Sequence, residues 1–447
     1  MNILIIGSGA REHAIVKALF QSEQKPSLYC YGIPHNPGIE KLTKSPIEVG
    51  DSTDTEAITK FAQDNKIDFA VIGPEAPLEA GVADALFEAG IFCIGPFQAR
   101  ALLETSKSYT RDLLTREGIE GCPKYQIFSS MEGVEEYIRI VLQGNYVIKP
   151  DGLTGGKGVM VSSDHLQTVE DGLAYANELI ERGKIFVIEE KLEGEEFSFM
   201  AFCDKNGNLN FMSIVRDYKR RDEGDKGPNT GGMGSYSDAD HRLPFLDEAD
   251  VETARAIMQK TIDALIRDYP DEPFVGILYG GFMKTAHGIK LIEYNTRFGD
   301  PEAMNVLAIL ESDFVDVCKA MLRGELDKIH VEFRHQATVC KYAVPEGYPD
   351  APIKNQPIDV SFVTDPDALY FGGVEAKENG LLYTTGSRAV AVLGVGDTIA
   401  DAEQIAELEI NRITGELFHR KDIGTRLFIE HKLDRMRRRI ENRQKIR

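Results

Sequence analysis

No apolar run in this 447-residue chain is long enough to span a bilayer. The opening Met1-Asn2-Ile3-Leu4-Ile5-Ile6-Gly7 has the length of a strand and runs into a glycine turn instead of extending into a secretory signal. Membrane insertion and export are therefore not expected, and a cytoplasmic protein is. Cysteine is sparse: Cys30, Cys93, Cys122, Cys203, Cys318 and Cys340 lie scattered, with no Cys-x-x-Cys spacing. That distribution suits separate thiols in a reducing cytosol and excludes a disulfide framework or a cysteine zinc site. Positive charge is in deficit, with 51 Lys and Arg against 72 Asp and Glu and a net of −21. A nucleic-acid partner needs a positive face, so none is expected. The exception is residues 431–447, where eight Lys/Arg face two Asp/Glu; a basic terminal helix of this kind reads first as a solvated tail. Internal repeats and low-complexity segments are absent.

What the chain has is room for about three domains of ~150 residues and one conspicuous loop. Val147-Ile148-Lys149-Pro150-Asp151-Gly152-Leu153-Thr154-Gly155-Gly156-Lys157-Gly158-Val159-Met160-Val161 sets two strand-like apolar runs around four glycines and two lysines. Glycines let backbone N–H groups converge on an anion, and lysines add point charge. The spacing is not that of a P-loop, because no Gly-Lys-Ser/Thr opens a helix. A strand, glycine loop and strand would instead lay a flap over a nucleotide; a glycine-rich hairpin with solvated lysines fits the same residues.

In chain order, residues 3–6, the turn Gly7-Ser8-Gly9-Ala10-Arg11-Glu12-His13 and a helical pattern through Phe20 predict the first βα unit of a doubly wound parallel sheet. Its helix N-terminus is placed to receive an anion. A dinucleotide fingerprint is incomplete, since Glu12 stands where the third glycine belongs. Arg11 and Glu12 suit a small phosphorylated, hydroxylated or amine-bearing ligand better. Strands at 28–31, 69–72 and 91–94 follow, with a helix begun by the capping box Thr53-Asp54-Thr55-Glu56. Regular crossovers put the strand ends on one ligand-facing edge, which makes Glu75 a candidate contact.

A new domain begins near Leu103. Thr105-Ser106-Lys107-Ser108 opens a helix, another is expected over 132–142 and a third over 166–182, and Asp204-Lys205-Asn206-Gly207-Asn208 joins a hairpin. Residues 217–236 read as one long polar, Gly-rich loop. Glu293-Tyr294-Asn295-Thr296-Arg297-Phe298-Gly299-Asp300-Pro301-Glu302 is the densest polar cluster. In a strand Glu293 and Asn295 share a face, so a carboxylate and an amide oxygen converge as hard ligands for Mg²⁺. Arg297 can present its fork to a carboxylate or phosphate in the same pocket; an Arg–Glu surface pair with Asn in a turn is the plainer reading. From about 331 short strands and a late helix, 399–413, suggest a smaller α+β domain.

Taken together, Lys149 with its loop, Glu189-Glu190-Lys191-Leu192 and Glu293 to Arg297 resemble in order and spacing the nucleotide site of ATP-grasp ligases. The motifs at 7–13, 149–158, 227–234 and 295–302, with Arg420-Lys421-Asp422-Ile423-Gly424, resemble more closely the phosphoribosylamine–glycine ligase family. The resemblance runs from residue 1 to about 430. It implies an α/β and α+β protein: a doubly wound parallel α/β substrate-binding domain (1–103), an ATP-grasp domain (104–330), a small α+β domain (331–430) and a basic tail (431–447). It implies ATP-dependent ligation of glycine to 5-phosphoribosylamine through glycyl phosphate, in purine synthesis, by a monomer or dimer.

The roles follow from the resemblance as well. ATP would be held by Lys107, Lys149, Gly155, Gly156, Lys157, Gly158, Glu189, Glu190, Leu192 and Glu196, with backbone groups of Glu190 and Leu192 at the base. Mg²⁺ or Mn²⁺ would sit on Glu293 and Asn295, while residues 279–283 offer no second acidic ligand. Phosphoribosylamine and glycine would meet Gly9, Arg11, Glu12, Glu75, Asp217, Lys219, Asn229, Thr230, Gly231 and Gly232. Arg297 and Lys149 are the implied catalytic residues. A ligase for another carboxylate and a silent nucleotide-binding protein are the competing readings. The motif at 227–234 argues against the first, and the intact Lys149, Glu293, Asn295 and Arg297 against the second.

Overall fold

The computed structural model describes residues 1–155, 158–377 and 380–444, with side chains as far as Arg438. Strands β1 (Asn2–Ile6), β2 (Ser27–Tyr31), β3 (Phe69–Ile72) and β4 (Phe92–Ile94) form a parallel sheet in the order β2-β1-β3-β4. Ile3 to Ile6 have no solvent exposure, because helices cover both faces, and β1 is therefore apolar throughout instead of alternating. Helix Ala10–Phe20 leaves β1 through Gly9, whose N–H is capped by the Glu12 carboxylate at 2.6 Å. Gly32 lies so close that a Cβ there would stand 3.1 Å from the Gly7 backbone; the two strand ends need glycine to approach. Helix Thr55–Asp64 starts one residue later than its motif suggests: Asp54, not Thr53, caps Ala57 N–H at 3.0 Å.

Beyond helix Lys107–Arg116, β5 (Tyr125–Phe128), β6 (Tyr146–Pro150), β7 (Met160–Val161) and β8 (Phe186–Glu190) form an antiparallel sheet in the order β5-β8-β6-β7. The glycine loop joins β6 to β7. Over 132–142, the expected regular helix is one turn, Val134–Glu136, widening into a π-turn, Tyr137–Val141, which buries the adjacent Tyr137 and Ile138 and leaves Ile140 outside.

Strands β9 (Gly194–Cys203) and β10 (Leu209–Phe211) make the expected hairpin. The next stretch is not one loop. It holds β11 (Arg216–Asp217), β12 (Arg220–Asp222), β13 (Lys226–Asn229) and β14 (Gly234–Ser237), with β12 and β13 paired to each other. A second antiparallel sheet, β10-β9-β15-β16, adds β15 (Gly276–Thr285) and β16 (Gly288–Asn295). Strand β17 (Ala337–Pro345) then pairs β14, so the last sheet draws β11 and β14 from the middle of the chain and continues through Val390–Gly396 and Leu369–Phe371. Polar composition hid this pairing, since the hydrogen bonds come from a strand a hundred residues away.

The described part of the basic tail, residues 431–444, does not stand apart. It is the continuation of helix Arg426–Gln444, tied down by Lys432 to Asp225 and by buried Ile429 and Met436. Among the described residues no helix is long and apolar enough to cross a membrane.

Gly394 on strand Val390–Gly396 faces helix Ile399–Ile410 so closely that a Cβ would stand 1.9 Å from the Ala402 carbonyl oxygen. Backbone cannot yield there as a side chain can. Gly394→Ala is expected to cost about 1–3 kcal/mol, seen as a lower thermal unfolding midpoint by calorimetry; an unchanged midpoint would contradict this packing.

Candidate active site

The two antiparallel sheets, β5-β8-β6-β7 and β10-β9-β15-β16, face each other across a cleft of about 310 Å³ that the end of the parallel sheet and Arg388 also border. Lys149, the last lysine of β6, is nearly buried. Its Nζ pairs with Glu189 Oε2 at 2.7 Å and donates to the Ile292 carbonyl at 3.2 Å. Arg111, which sequence reasoning missed, grips the same carboxylate with Nε at 2.7 Å and Nη2 at 3.1 Å, and reaches Ile292 O at 2.6 Å. Burial alone would push the Glu189 carboxyl up. The two cations outweigh it and hold it down at about 2.

Lys107 reaches the glycine loop from the opposite side. Its Nζ donates to Gly152 O at 2.8 Å, and its backbone N–H is received by Asp151 at 2.6 Å. Asp151 also accepts from Ser106 and Ser108, which fastens the loop to the start of helix Lys107–Arg116. Burial lowers the Lys107 ammonium, since desolvation disfavours its charged form. Gly155 lines the cleft and Gly158 accepts a hydrogen bond from Tyr175 at 2.8 Å; Gly156 and Lys157 lie outside the described residues.

Alternation along β16 puts Glu293 and Asn295 into the cleft together. Glu293 lies 3.8 Å from Lys219, and Asn295 Oδ1 accepts from Arg297 at 3.1 Å. Burial raises the Glu293 carboxyl, but Lys219, Lys149, Lys107 and Arg297 together bring it below its ordinary value. Among the described residues no trio of His, Cys, Asp or Glu could enclose a metal by itself. A carboxylate and an amide oxygen fit Mg²⁺, which is commonly held by one or two such ligands plus phosphate oxygens.

Arg297 is clamped by acids. Nη2 meets Glu104 at 2.7 Å and Nε lies 3.4 Å from Glu75. Glu104 also receives the Thr296 N–H at 2.7 Å, and burial raises its carboxyl. Glu75 is raised by burial and lowered further by Arg297 and Arg11, ending below its usual value. Arg11 extends the chain of charge, with Nε to Glu12 at 2.7 Å and Nη1 to the Phe298 carbonyl at 3.2 Å.

The other side is built from the 217–236 strands. Asp217, Lys219, Thr230 and Gly231 line the cleft, and Thr230 folds onto the Lys219 carbonyl. Arg388 holds Gly231 O, Gly232 O and Asp300 O at 2.8–3.0 Å and pairs with Asp300 at 2.8 Å.

Not every expected residue reaches this space. Gly9 and Glu12 serve the helix cap, Gly232 is buried against Asp217 and Pro301, and Asn229 ends β13 away from the cleft lining. Glu189 meets the cleft as an ion-pair hub. Glu190 gives its N–H to Lys124 O at 2.9 Å, so that group is not open to a base; Leu192 lies between β8 and β9. Glu196 lines a small adjoining recess beside Arg216, 3.6 Å from its guanidinium. Of the missed residues, Arg111 lies four positions from Lys107, one turn along the same helix, and Glu104 lies in the preceding helix, Gln98–Thr105. Asp300 and Glu302 belong to the dense polar cluster already noted. Arg388 follows Gly386-Ser387 with no local signal.

A cleft between two antiparallel sheets, a glycine flap, converging lysines and a Glu-x-Asn pair on the floor define an ATP-grasp enzyme. Matches to known families agree. Residues 1–104, 105–303 and 338–426 correspond to the N domain, the ATP-grasp (A) domain and the C domain of phosphoribosylglycinamide synthetase. A Methanosarcina barkeri phosphoribosylamine–glycine ligase is 47% identical over 437 residues, 98% of this chain and 99% of the relative. One from Methanocaldococcus jannaschii is 46% identical over 445 residues, 98% and 99% of the two chains. The crystal structure of the Thermotoga maritima phosphoribosylamine–glycine ligase superposes with a TM-score of 0.79 at 28% identity, covering 94% of this chain and all of that one. The chain belongs to the phosphoribosylamine–glycine ligase family.

Glu189 titrates below its unfolded value, so its stabilising contribution is complete above about pH 4.3 and drains away as pH falls toward 2. Glu189→Gln would leave Arg111 and Lys149 buried beside a neutral amide, costing about 3–5 kcal/mol at pH 7. Thermal midpoints measured against pH should show the gap between wild type and Glu189→Gln narrowing below about pH 4.3. A gap independent of pH would remove the ion-pair account.

Proposed function

We infer that this protein joins glycine to 5-phosphoribosylamine at the expense of ATP, forming glycinamide ribonucleotide, ADP and phosphate in purine biosynthesis. The observation that carries the reading is the convergence of Lys107, Lys149, Lys219 and Arg297 on the Glu293–Asn295 pair in one cleft. The glycine carboxylate attacks the γ-phosphoryl group to give glycyl phosphate, and the amine then displaces phosphate. The first step gathers several anions, so the protein's work is positioning and charge neutralisation.

In this reading Lys107 and Lys149 hold phosphate oxygens and the loop at Gly155 and Gly158 covers them. A divalent ion, Mg²⁺ or Mn²⁺, would be held by Glu293 and Asn295 and would neutralise phosphate charge there. Arg297, aligned by Glu104 and Glu75, offers its guanidinium to the transferring phosphoryl group or the glycine carboxylate. Residues 1–103, with Arg11 and Glu75 at the cleft, serve phosphoribosylamine; residues 104–330 clasp the nucleotide; residues 331–430 close the site through Arg388. The glycine loop excludes water from a labile acyl phosphate. Six free thiols fit a reducing cytoplasm.

The test is ADP release with Mg²⁺-ATP and glycine, with and without phosphoribosylamine formed in place from ribose 5-phosphate and ammonia. Full turnover should need both substrates. Arg297→Ala should lower kcat about 100-fold, or on the order of 3 kcal/mol, in a protein that still folds. Turnover with another carboxylate and none with glycine would sink the substrate assignment.

A further inference from the structure

Resting on that ligase reading, the second step poses a question of its own. When the amine attacks glycyl phosphate, a nitrogen–carbon bond forms, the bond from the carbonyl carbon to the phosphate oxygen breaks, and phosphate leaves with the electron pair. The nitrogen must then shed a proton, and some group has to take it.

The carboxylates bordering the cleft differ sharply in what already occupies them. No histidine borders it among the described residues. Glu189 is saturated by Arg111 and Lys149, and Glu104 by Arg297 and Thr296. Glu75 lies between two guanidinium groups, and Asp300 is taken by Arg388 and by the Tyr342 hydroxyl at 2.5 Å. Glu302, buried, is already taken by the Tyr279 hydroxyl at 2.6 Å and by Ser198 at 2.9 Å.

Glu293 faces Lys219 at 3.8 Å and is the carboxylate read above as a metal ligand. Asp217 is the exception: it is 7% exposed and lines the cleft, yet its Oδ1 is buried with no hydrogen-bond donor among the described residues. Gly232 presses against that oxygen, where a Cβ would stand 2.7 Å away. A buried carboxylate oxygen without a donor is costly, and its retention at a cleft wall points to a donor that arrives with substrate.

We propose that Asp217 is the general base that takes the proton from the attacking amine. Burial first, and Glu302 second, raise the Asp217 carboxyl above the usual carboxylate range; Lys219, Arg388 and Arg216 oppose them. Tyr279 and Cys340 also face it, and burial keeps both neutral. A carboxylate whose acid form is favoured over that of an ordinary aspartate is the stronger proton acceptor.

The experiment compares two acceptors for the same glycyl phosphate: phosphoribosylamine, and hydroxylamine at high concentration, which captures the acyl group as glycine hydroxamate without a seated base. In Asp217→Asn, ribonucleotide formation should fall on the order of 100-fold, and at least about tenfold more than hydroxamate formation. Equal losses, or no loss, would overturn the assignment. If that variant does not fold, wild type decides: its kcat with phosphoribosylamine should decline as pH falls through the Asp217 titration, while hydroxamate formation lacks that limb. The same acid limb in both reactions overturns the proposal. A wild type that releases no glycine-dependent ADP overturns the ligase reading and this assignment together.

Discussion

The active cleft depends on one buried cluster of charge, in which Arg111 and Lys149 converge on Glu189 and both cations donate to the Ile292 carbonyl. Arg111 comes from helix Lys107–Arg116, Lys149 from β6, Glu189 from β8 and Ile292 from β16. A single carboxylate thus ties the flap-bearing sheet to the sheet that carries Glu293 and Asn295. Two cations on one anion leave a net positive charge inside the protein, which desolvation disfavours. The Ile292 carbonyl gives each cation one further acceptor, Arg111 Nη1 has none among the described residues, and the leftover positive field points at the place where phosphates would bind.

The same pattern recurs around the cleft. Arg297 stands between Glu104 and Glu75, Arg11 between Glu12 and Glu75, and Arg388 on Asp300 and three carbonyls. Each guanidinium is oriented before any substrate arrives. Oriented charge costs no reorganisation during reaction, which is why such sites accelerate transfers between anions. Asp217 stands outside this pattern: its Oδ1 has no donor among the described residues.

Local chemistry made much of this legible. The glycine loop, the strand and turn at its sides and the β16 alternation rest on interactions within a few residues, and each lies where its sequence implied. The parallel sheet was equally readable, because buried parallel strands are apolar runs punctuated by glycine. Pairing between distant strands was not. β14 and β17 meet across a hundred residues, and the polar stretch that contains β11 to β14 gave no alternation to betray them. The basic tail misled for a related reason: its charge is local, but Lys432 finds Asp225 only through the fold.

The sequence by itself determined the chemical inventory: which backbone segments can cradle phosphate, which lysines and arginines are available, and which carboxylate and amide share a strand face. Those properties follow from residue type and from the fixed periods of strand and helix. Tertiary structure alone decided how each charge is spent. It joined Arg111 to Ile292 across 181 residues and Arg388 to the Asp300 carbonyl across 88, and it left Asp217 Oδ1 with no donor among the described residues. Ion pairing and desolvation depend on distance and burial in space, quantities that spacing along a chain does not contain.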